Sequence, residues 1–142
     1  MADNAVMTHK PGHKVIRIAD SGEPFVEAFR CADCGAVFPD HTLACRKCGS
    51  RDGVAPFRSL ETGRLYSWSI VHRSYPGITV PFVSAIVDLD GGLALKGTLR
   101  DADEADLREG LPVRLVFDDA GGARDKNDVP YVGFHFVPAG DA

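Results

Sequence analysis

The stretch Cys31-Ala-Asp-Cys34-Gly35, followed ten residues later by Cys45-Arg-Lys-Cys48-Gly49, contains every cysteine of the chain in two CxxC pairs. Two residues between paired cysteines let a tight turn aim both sulfur atoms at one point. The glycine after each pair permits the positive φ that such a turn usually requires. Two of these knuckles facing each other form a tetrahedral set of four thiolates. The spacing therefore predicts one metal site, built by Cys31, Cys34, Cys45 and Cys48.

Zinc is the metal that this donor set favours. Four thiolates with no open position form a closed structural site rather than a catalytic one. Iron is the alternative, since rubredoxins also use paired CxxCG knuckles, although their pairs lie farther apart and usually carry a proline that this chain lacks. His41 lies between the pairs, but four cysteines already complete the site, so we interpret His41 as an exposed loop residue.

Disulfide and redox roles for the cysteines are disfavoured. Residues 1–10 contain no apolar segment after a basic one, so no export signal is expected, and structural disulfides need an oxidising compartment. A dithiol redox motif requires only one CxxC pair and would leave the second pair idle. We therefore expect reduced cysteines and a cytoplasmic location.

Composition and charge narrow the class of protein. With 44% hydrophobic and 25% charged residues, the chain reads as a soluble globular protein, and no apolar run approaches the length of a bilayer span. The net charge of −4 argues against a general affinity for nucleic acid or anionic membranes, because both depend on a surplus of Lys and Arg. The length suits a metal-stapled module followed by a compact barrel. We predict an N-terminal segment and zinc ribbon over residues 1–53 and the barrel over residues 54–142.

The predicted ribbon is flanked by less regular sequence and by basic residues. Residues 1–13 show no periodicity and are expected to be mobile or docked on a partner, whereas residues 15–18 and 25–29 predict short strands. Four cations surround the cysteines, and they either compensate the formal charge of a zinc–thiolate centre or bind phosphates of a ligand. These four residues are Arg30, Arg46, Lys47 and Arg51.

Five strands separated by turn residues are predicted after the ribbon. They cover residues 65–73, 82–89, 93–99, 113–117 and 130–137, with a turn at 61–64 and a brief helical segment at 101–109. Asp90-Gly91-Gly92 between the second and third strands is a strong hairpin signal. Tyr66, Trp68, Ile70 and His72 are expected on one face of the first strand, with Leu65 on the other, and Gly97 is expected to mark a bend or bulge. The pattern predicts a five-stranded Greek-key barrel of the OB type.

Order and motifs together resemble a family of zinc-ribbon plus OB-fold proteins, long labelled as a domain of unknown function and associated with acyl-CoA enzymes. The resemblance covers residues 31–137. Besides the knuckles, it rests on segments beginning at Gly63-Arg-Leu-Tyr-Ser-Trp, Val80-Pro-Phe-Val-Ser-Ala, Gly110-Leu-Pro-Val and Tyr131-Val-Gly-Phe. It implies a rubredoxin-like zinc ribbon followed by an OB-fold barrel. It also implies an accessory, non-catalytic subunit of a thiolase, acyltransferase or side-chain aldolase in a hetero-oligomer, helping to bind or channel an acyl-CoA.

No catalytic constellation is visible in the sequence. The cysteines are consumed by the metal site, and neither a GxSxG motif nor a glycine-rich phosphate loop is present. If an acyl-CoA contacts this chain, its phosphates should seek basic side chains near the barrel. The candidate ligand contacts are Arg58, His72, Arg73, Tyr75 and Lys96.

A single-stranded nucleic-acid-binding module is the alternative function. Ribbons and OB folds both bind single strands through stacked aromatic side chains and basic grooves. Tyr66, Trp68, Tyr75 and Tyr131 are available for stacking, but no basic stripe runs among them. Binding of nucleic acid is therefore less expected than association with an enzyme subunit.

Overall fold

The computed structural model describes residues 10–139 and is mainly β. Two short 3-10 turns lie at Glu104–Asp106 and Ala120–Gly122. Within the described residues, no helix is long and apolar enough to cross a bilayer. The ten strands are β1 Lys10–Pro11, β2 Ile16–Ile18, β3 Pro24–Cys31, β4 Val37–Phe38, β5 Val54–Arg58, β6 Thr62–Val71, β7 Phe82–Leu89, β8 Ala94–Leu99, β9 Pro112–Asp118 and β10 Tyr131–Pro138.

The chain divides into two compact units. The first, called the ribbon unit here, contains residues up to Ser59 together with Gly91–Leu93 and Phe117–Gly133. The second, called the barrel unit, contains Leu60–Asp90, Ala94–Val116 and the residues from Phe134 onward.

In the ribbon unit, β3 is the central strand of a small antiparallel sheet. It pairs with β2, with β4 and, through Glu27↔Arg58 to Cys31↔Val54, with β5. Apolar side chains from β2 and β3 form the core of this sheet, because alternate positions of the two strands turn toward the same side. The buried residues are Val15, Ile16, Val26, Ala28, Phe29 and Cys31.

An unexpected strand lies at the start of the described chain. Lys10–Pro11 runs parallel to the beginning of β10, pairing with Tyr131 and Val132, and Lys10 Nζ lies 2.5 Å from a carboxylate oxygen of Asp125. Our prediction of a mobile or partner-docked segment is therefore wrong for these residues. Its remainder, residues 1–9, lies outside the described part. Two residues are too few to show a hydrophobic period, so the sequence does not predict this strand. It forms because it pairs with β10, which is distant in sequence.

The predicted OB barrel is confirmed. Strands follow one another in the order β6, β7, β8, β10, β9, and β9 pairs with both β10 and β6, which closes the sheet. The β8–β10 pairing is parallel, with Phe136 opposite Leu99, whereas β6, β7 and β8 are joined antiparallel. Closure of this kind removes exposed sheet edges.

The hairpin predicted at residues 90–92 is also confirmed, joining β7 to β8 with Asp88 opposite Ala94. Leu93, Leu95 and Leu99 are buried as the alternation predicts. Inward side chains of all five strands fill the barrel. Its buried apolar residues are Leu65, Ala85, Val87, Leu89, Leu95, Leu99, Leu111, Val113, Leu115, Phe136 and Val137.

The turn predicted at residues 61–64 is wrong, because β6 already begins at Thr62. Gly63 is a strand residue that pairs with Leu89 on one side and Val113 on the other. A Cβ atom added at Gly63 would overlap the carbonyl oxygen of Asp88. The glycine thus permits close approach of two strands rather than a change of direction.

The predicted faces of β6 are wrong because a β-bulge interrupts the alternation. The register shifts between Leu65 and Ser67, which places Leu65 opposite Val87 and Trp68 opposite Ala85. Val87 and Ala85 are both buried and two residues apart, so they share a face of β7. Leu65 and Trp68 therefore belong to one face, with Tyr66 as the extra residue.

Gly97 is not the bulge. The β7–β8 register runs through it without a shift, with Gly97 opposite Ala85. A Cβ atom there would lie 2.8 Å from the Phe134 ring and 2.9 Å from the Phe136 ring. Gly97 leaves room for two aromatic side chains that pack edge to face, with ring centroids 5.7 Å apart.

Candidate metal centre and barrel surface

The four cysteine sulfur atoms converge on one point, with every Sγ within 4.8 Å of the others. Cys31 Sγ lies 3.6 Å from Cys48 Sγ, and Cys34 Sγ lies 3.6 Å from Cys45 Sγ. Each close pair therefore joins one knuckle to the other. Cys31 and Cys45 are buried, whereas Cys34 and Cys48 are more accessible.

The two knuckles have the same backbone hydrogen bonds. The N–H of Gly35 donates to Cys31 O, and the N–H of Gly49 donates to Cys45 O, at 2.8 and 2.9 Å. Gly35 and Gly49 have φ values of 79° and 81°, which confirms the prediction that these turns use the left-handed region. Glycine lacks the Cβ atom that makes this conformation unfavourable for most other residues.

Hydrogen bonding and burial give the thiols unequal acidities. The N–H groups of Cys48 and Lys47 lie 3.4 and 3.3 Å from Cys45 Sγ and lower the pKa of Cys45 to about 6. The Ser50 N–H lowers the pKa of Cys48, but burial and the three other sulfur atoms outweigh it and raise that pKa to about 12. A central cation would favour the thiolate form of all four residues.

The spacing of the sulfur atoms fits a tetrahedral metal site. With Zn–S bonds of about 2.3 Å, the edges of a regular S4 tetrahedron are about 3.8 Å long. The observed 3.6 Å separations are close to that value. The four cysteines can thus hold a metal ion, and all four coordination positions are supplied by the chain.

Two of the basic residues near the cysteines contact other groups. The Arg30 guanidinium lies 4.3 Å from the centre of the Phe57 ring and donates to Gly91 O at 3.0 Å. Arg46 lies 3.5 Å from a carboxylate oxygen of Asp40. These contacts stabilise the ribbon unit itself, which is a structural role that the sequence did not reveal. Lys47 and Arg51 are exposed.

His41 lies outside the sulfur cluster, as predicted, and is exposed. Its ring meets the Phe29 ring at 5.6 Å in an edge-to-face arrangement. The side chain therefore packs against the end of β3.

Arg58, one of the predicted ligand contacts, is in the ribbon unit at the end of β5. Its guanidinium lies 3.2 Å from a carboxylate oxygen of Glu23 and 5.0 Å from the centre of the Phe25 ring. An arginine held by an ion pair and an aromatic face already has partners for its charge and its plane.

The other predicted ligand contacts are in the barrel unit but do not form one cluster. His72, Arg73 and Tyr75 follow the last residue of β6 and are exposed. Lys96 lies on β8 opposite Ile86, which in turn pairs with Ser67. Ser67 is five residues before His72, so about 16 Å of strand separates the level of Lys96 from that of His72.

The barrel also carries a surface cavity that its sequence does not predict. Tyr66, Ser67, Trp68 and Glu109 line a cavity of about 400 Å³ beside the β6 bulge. The aromatic residues were visible in the sequence. The approach of Glu109, which completes the cavity, was not, because it depends on packing between segments that are distant in sequence.

Known proteins resemble this chain over most of its length. The family model described as "ChsH2, C-terminal OB-fold domain" matches residues 59–118. A benzoylsuccinyl-CoA thiolase subunit, BbsA of Geobacter metallireducens, is 31% identical over an alignment of 104 residues, with 68% of each chain covered. A DUF35 domain-containing scaffold protein of Methanocaldococcus jannaschii is 28% identical over 111 residues, covering 77% of this chain and 78% of the relative.

One solved structure agrees in fold and in sequence. A chain of the Ltp2-ChsH2(DUF35) aldolase superposes with a TM-score of 0.63 at 28% identity, covering 81% of this chain and 85% of that one. The likeness extends well beyond residues 59–118.

Proposed function

The chain belongs to the DUF35 family of OB-fold proteins associated with acyl-CoA enzymes, and from that we propose an accessory, non-catalytic subunit of a thiolase-fold enzyme. The enzyme is a thiolase, an acyltransferase or a side-chain aldolase. The observation that carries this proposal is the 31% identity to a thiolase subunit across 68% of both chains. The structural likeness to a chain of an aldolase supports it independently.

The ribbon holds a structural Zn²⁺ through Cys31, Cys34, Cys45 and Cys48. The 3.6 Å sulfur spacing and the all-thiolate donor set support zinc. Bound there, the ion supplies folding free energy and no reaction step, since its four positions are filled. Thiolate ligands persist in a reducing compartment, which supports action in the cytoplasm.

Iron is distinguished from zinc by the spectrum of the purified protein. A colourless protein with one equivalent of zinc supports the assignment. Iron in the purified protein, with visible thiolate-to-metal absorption, contradicts it.

The barrel helps to bind or channel the acyl-CoA of the enzyme. Arg73 lies two residues after the end of β6 and is exposed, so it is available for a phosphate group, with His72 and Tyr75 close to it in sequence. Lys96 offers a second cation on β8. Arg58 is already engaged by Glu23 and Phe25 and is the weakest member of the set.

Exchange of Arg73 tests the ligand role. Arg73→Ala should weaken acyl-CoA binding by the assembled complex without altering metal content. Arg114→Ala, at an exposed arginine of the barrel unit outside the proposed ligand set, is the matched control. Unchanged affinity in the Arg73 variant would remove this residue from the site.

Co-expression tests the proposed function as a whole. The tagged chain is produced with each thiolase-fold protein encoded in the same genome, starting with any neighbouring gene. We expect one of them to co-purify at a fixed stoichiometry and to lose activity or stability when the accessory chain is absent. Failure of every candidate to co-purify, with full activity of each enzyme alone, would reject the proposal.

A further inference from the structure

Residues 72–81, which join β6 to β7, form an exposed loop. All ten residues are exposed, and none belongs to a strand. In an OB barrel this is the connection between the first and second strands, one of the two loops that such barrels commonly use for binding. The position of the loop in the fold therefore already indicates a binding role, independently of its side chains.

The loop exposes three large apolar side chains. Tyr75 is 81% exposed, Ile78 48% and Val80 39%. Among the described residues, Leu43 is the one exposed large apolar residue in the ribbon unit, and all the others are in the barrel unit. Three exposed large apolar residues within six positions of one loop exceed the scattered single exposures that are normal on a protein surface, and they indicate an interaction surface.

The backbone presents two of these side chains in a fixed turn. The Ile78 N–H donates to Tyr75 O at 3.1 Å, and the two residues between them are Pro76 and Gly77. Gly77 has a φ of 91°. Proline followed by a positive-φ glycine is the pattern of a type II turn, so Tyr75 and Ile78 flank a constrained loop tip. A preordered tip loses less conformational entropy on docking.

Charge identifies the class of partner. Arg73 is the only Lys, Arg, Asp or Glu residue of the loop, and the chain as a whole carries −4. Nucleic acid needs several Lys or Arg contacts to phosphates. An apolar tip with one cation instead fits an apolar depression on a protein. Such a partner should carry no Lys or Arg facing Arg73, because like charges would repel each other.

We propose that Tyr75, Ile78 and Val80 seat in an apolar depression of the thiolase-fold subunit, so that the barrel loop carries the docking contact. This inference rests on the proposed function and assigns its interface. Tyr75 is thereby assigned to docking rather than to the ligand, and Arg73 and His72, at the base of the loop, stay available for the acyl-CoA.

Introduction of a charge into the apolar tip tests the inference. Ile78→Asp, introduced into the full chain and titrated against the co-purifying thiolase-fold enzyme, should raise the Kd about tenfold or more, as expected for a buried contact at the centre of an interface. Ile78→Val should stay near the original affinity. The Kd of Tyr75→Ser tests the same contact at a second position.

Leu43→Asp is the matched control, because it places the same charge on the 86% exposed apolar residue of the ribbon unit. Its affinity should stay within about twofold of the original. Metal content and thermal unfolding of all variants establish that each one is folded. Unaltered binding by both Ile78→Asp and Tyr75→Ser, or a larger loss in Leu43→Asp, would overturn the inference.

Three results separate this inference from the proposed function. No complex between the original chain and any thiolase-fold protein rejects both. A complex that tolerates Ile78→Asp and Tyr75→Ser rejects the loop alone. Self-association or binding of a labelled single-stranded oligonucleotide that disappears with Ile78→Asp, while the enzyme complex persists, assigns the loop to another occupant and also rejects it.

Discussion

The ribbon and the barrel are ordered by different interactions. Between residues 31 and 53, the buried residues are Cys31 and Cys45 alone. This segment therefore has a cluster of four sulfur atoms in place of the packed apolar core of the barrel. In the barrel, Leu65, Val87 and Phe136 are fully buried, and a closed ladder of hydrogen bonds surrounds them. The ribbon therefore depends on a bound ion and on the protonation of its thiols, whereas the barrel depends on packing.

Loss of one ligand should separate the two regions most strongly. Cys31→Ser removes a buried donor from the cluster. Because structural zinc contributes on the order of 10 kcal/mol to folding of such modules, we expect loss of stoichiometric zinc and unfolding of residues 31–53. Metal analysis and two-dimensional NMR measure both, and barrel resonances should persist.

Treatment of the original protein with a strong chelator should reproduce the Cys31→Ser spectrum. A ribbon that keeps its dispersed resonances without metal would show that packing alone orders it, and the contrast between the two regions would then disappear.

A cavity created in the barrel core by substitution should destabilise the barrel and leave the metal site intact. Phe136→Ala removes a fully buried ring that contacts the position of Gly97, and substitutions of this kind cost about 3–5 kcal/mol. Trp68, the single tryptophan, lies on β6 and reports barrel unfolding in urea. Zinc content under native conditions should not change.

Phe38→Ala is the control, since Phe38 is half-buried on β4 of the ribbon unit. It should shift the Trp68 transition less than Phe136→Ala does. Zinc loss in Phe136→Ala under native conditions would mean that the metal site depends on barrel packing.

The two regions also differ in how much of their structure can be predicted from nearby residues in the sequence. A CxxCG knuckle carries its geometry locally, since ligands, spacing and the positive-φ glycine lie within five residues. The Asp90-Gly91-Gly92 hairpin is equally local and was equally predictable. The parallel β8–β10 pairing joins residues far apart in sequence, and only the OB pattern as a whole predicts it.

The errors have a common physical origin. The backbone freedom of glycine predicts a turn at Gly63 and a bend or bulge at Gly97. Both glycines are instead required because other atoms occupy the space of a side chain. The bulge at Tyr66 follows from the register between β6 and β7, which a single strand does not encode. Spatial neighbours decide these features, so periodicity within one segment cannot predict them.

Acid should weaken the ribbon through its thiols. The pKa values of Cys34 and Cys48 are both raised, the latter to about 12, so both residues are protonated at pH 7 and at least two protons must be released when zinc binds. The apparent affinity should then fall at least about 100-fold per pH unit below pH 7. It should fall more steeply below about pH 6, where Cys45 also takes up a proton.

Calorimetry in buffers of different ionisation enthalpy counts the released protons, and a competing chelator gives the affinity at each pH. Release of fewer than two protons at pH 7 would contradict the thiol acidities. Barrel unfolding measured through Trp68 should not follow the zinc affinity over this range if the two regions are held independently.

The smallest expected effect concerns the aromatic contact of Arg30 in the ribbon unit. Arg30→Ala removes a guanidinium 4.3 Å from the Phe57 ring centre and a hydrogen bond to Gly91 O. Exposed cation–π contacts contribute about 0.5–1 kcal/mol, so stability should fall by about 1 kcal/mol while zinc stays bound. Chemical denaturation followed through the ribbon resonances measures this change. Arg30→Lys keeps the charge without the planar group and should lose about half as much. If Arg30→Ala instead lowers zinc affinity and leaves the stability of the zinc-loaded protein unchanged, Arg30 acts through charge compensation of the thiolates rather than through Phe57.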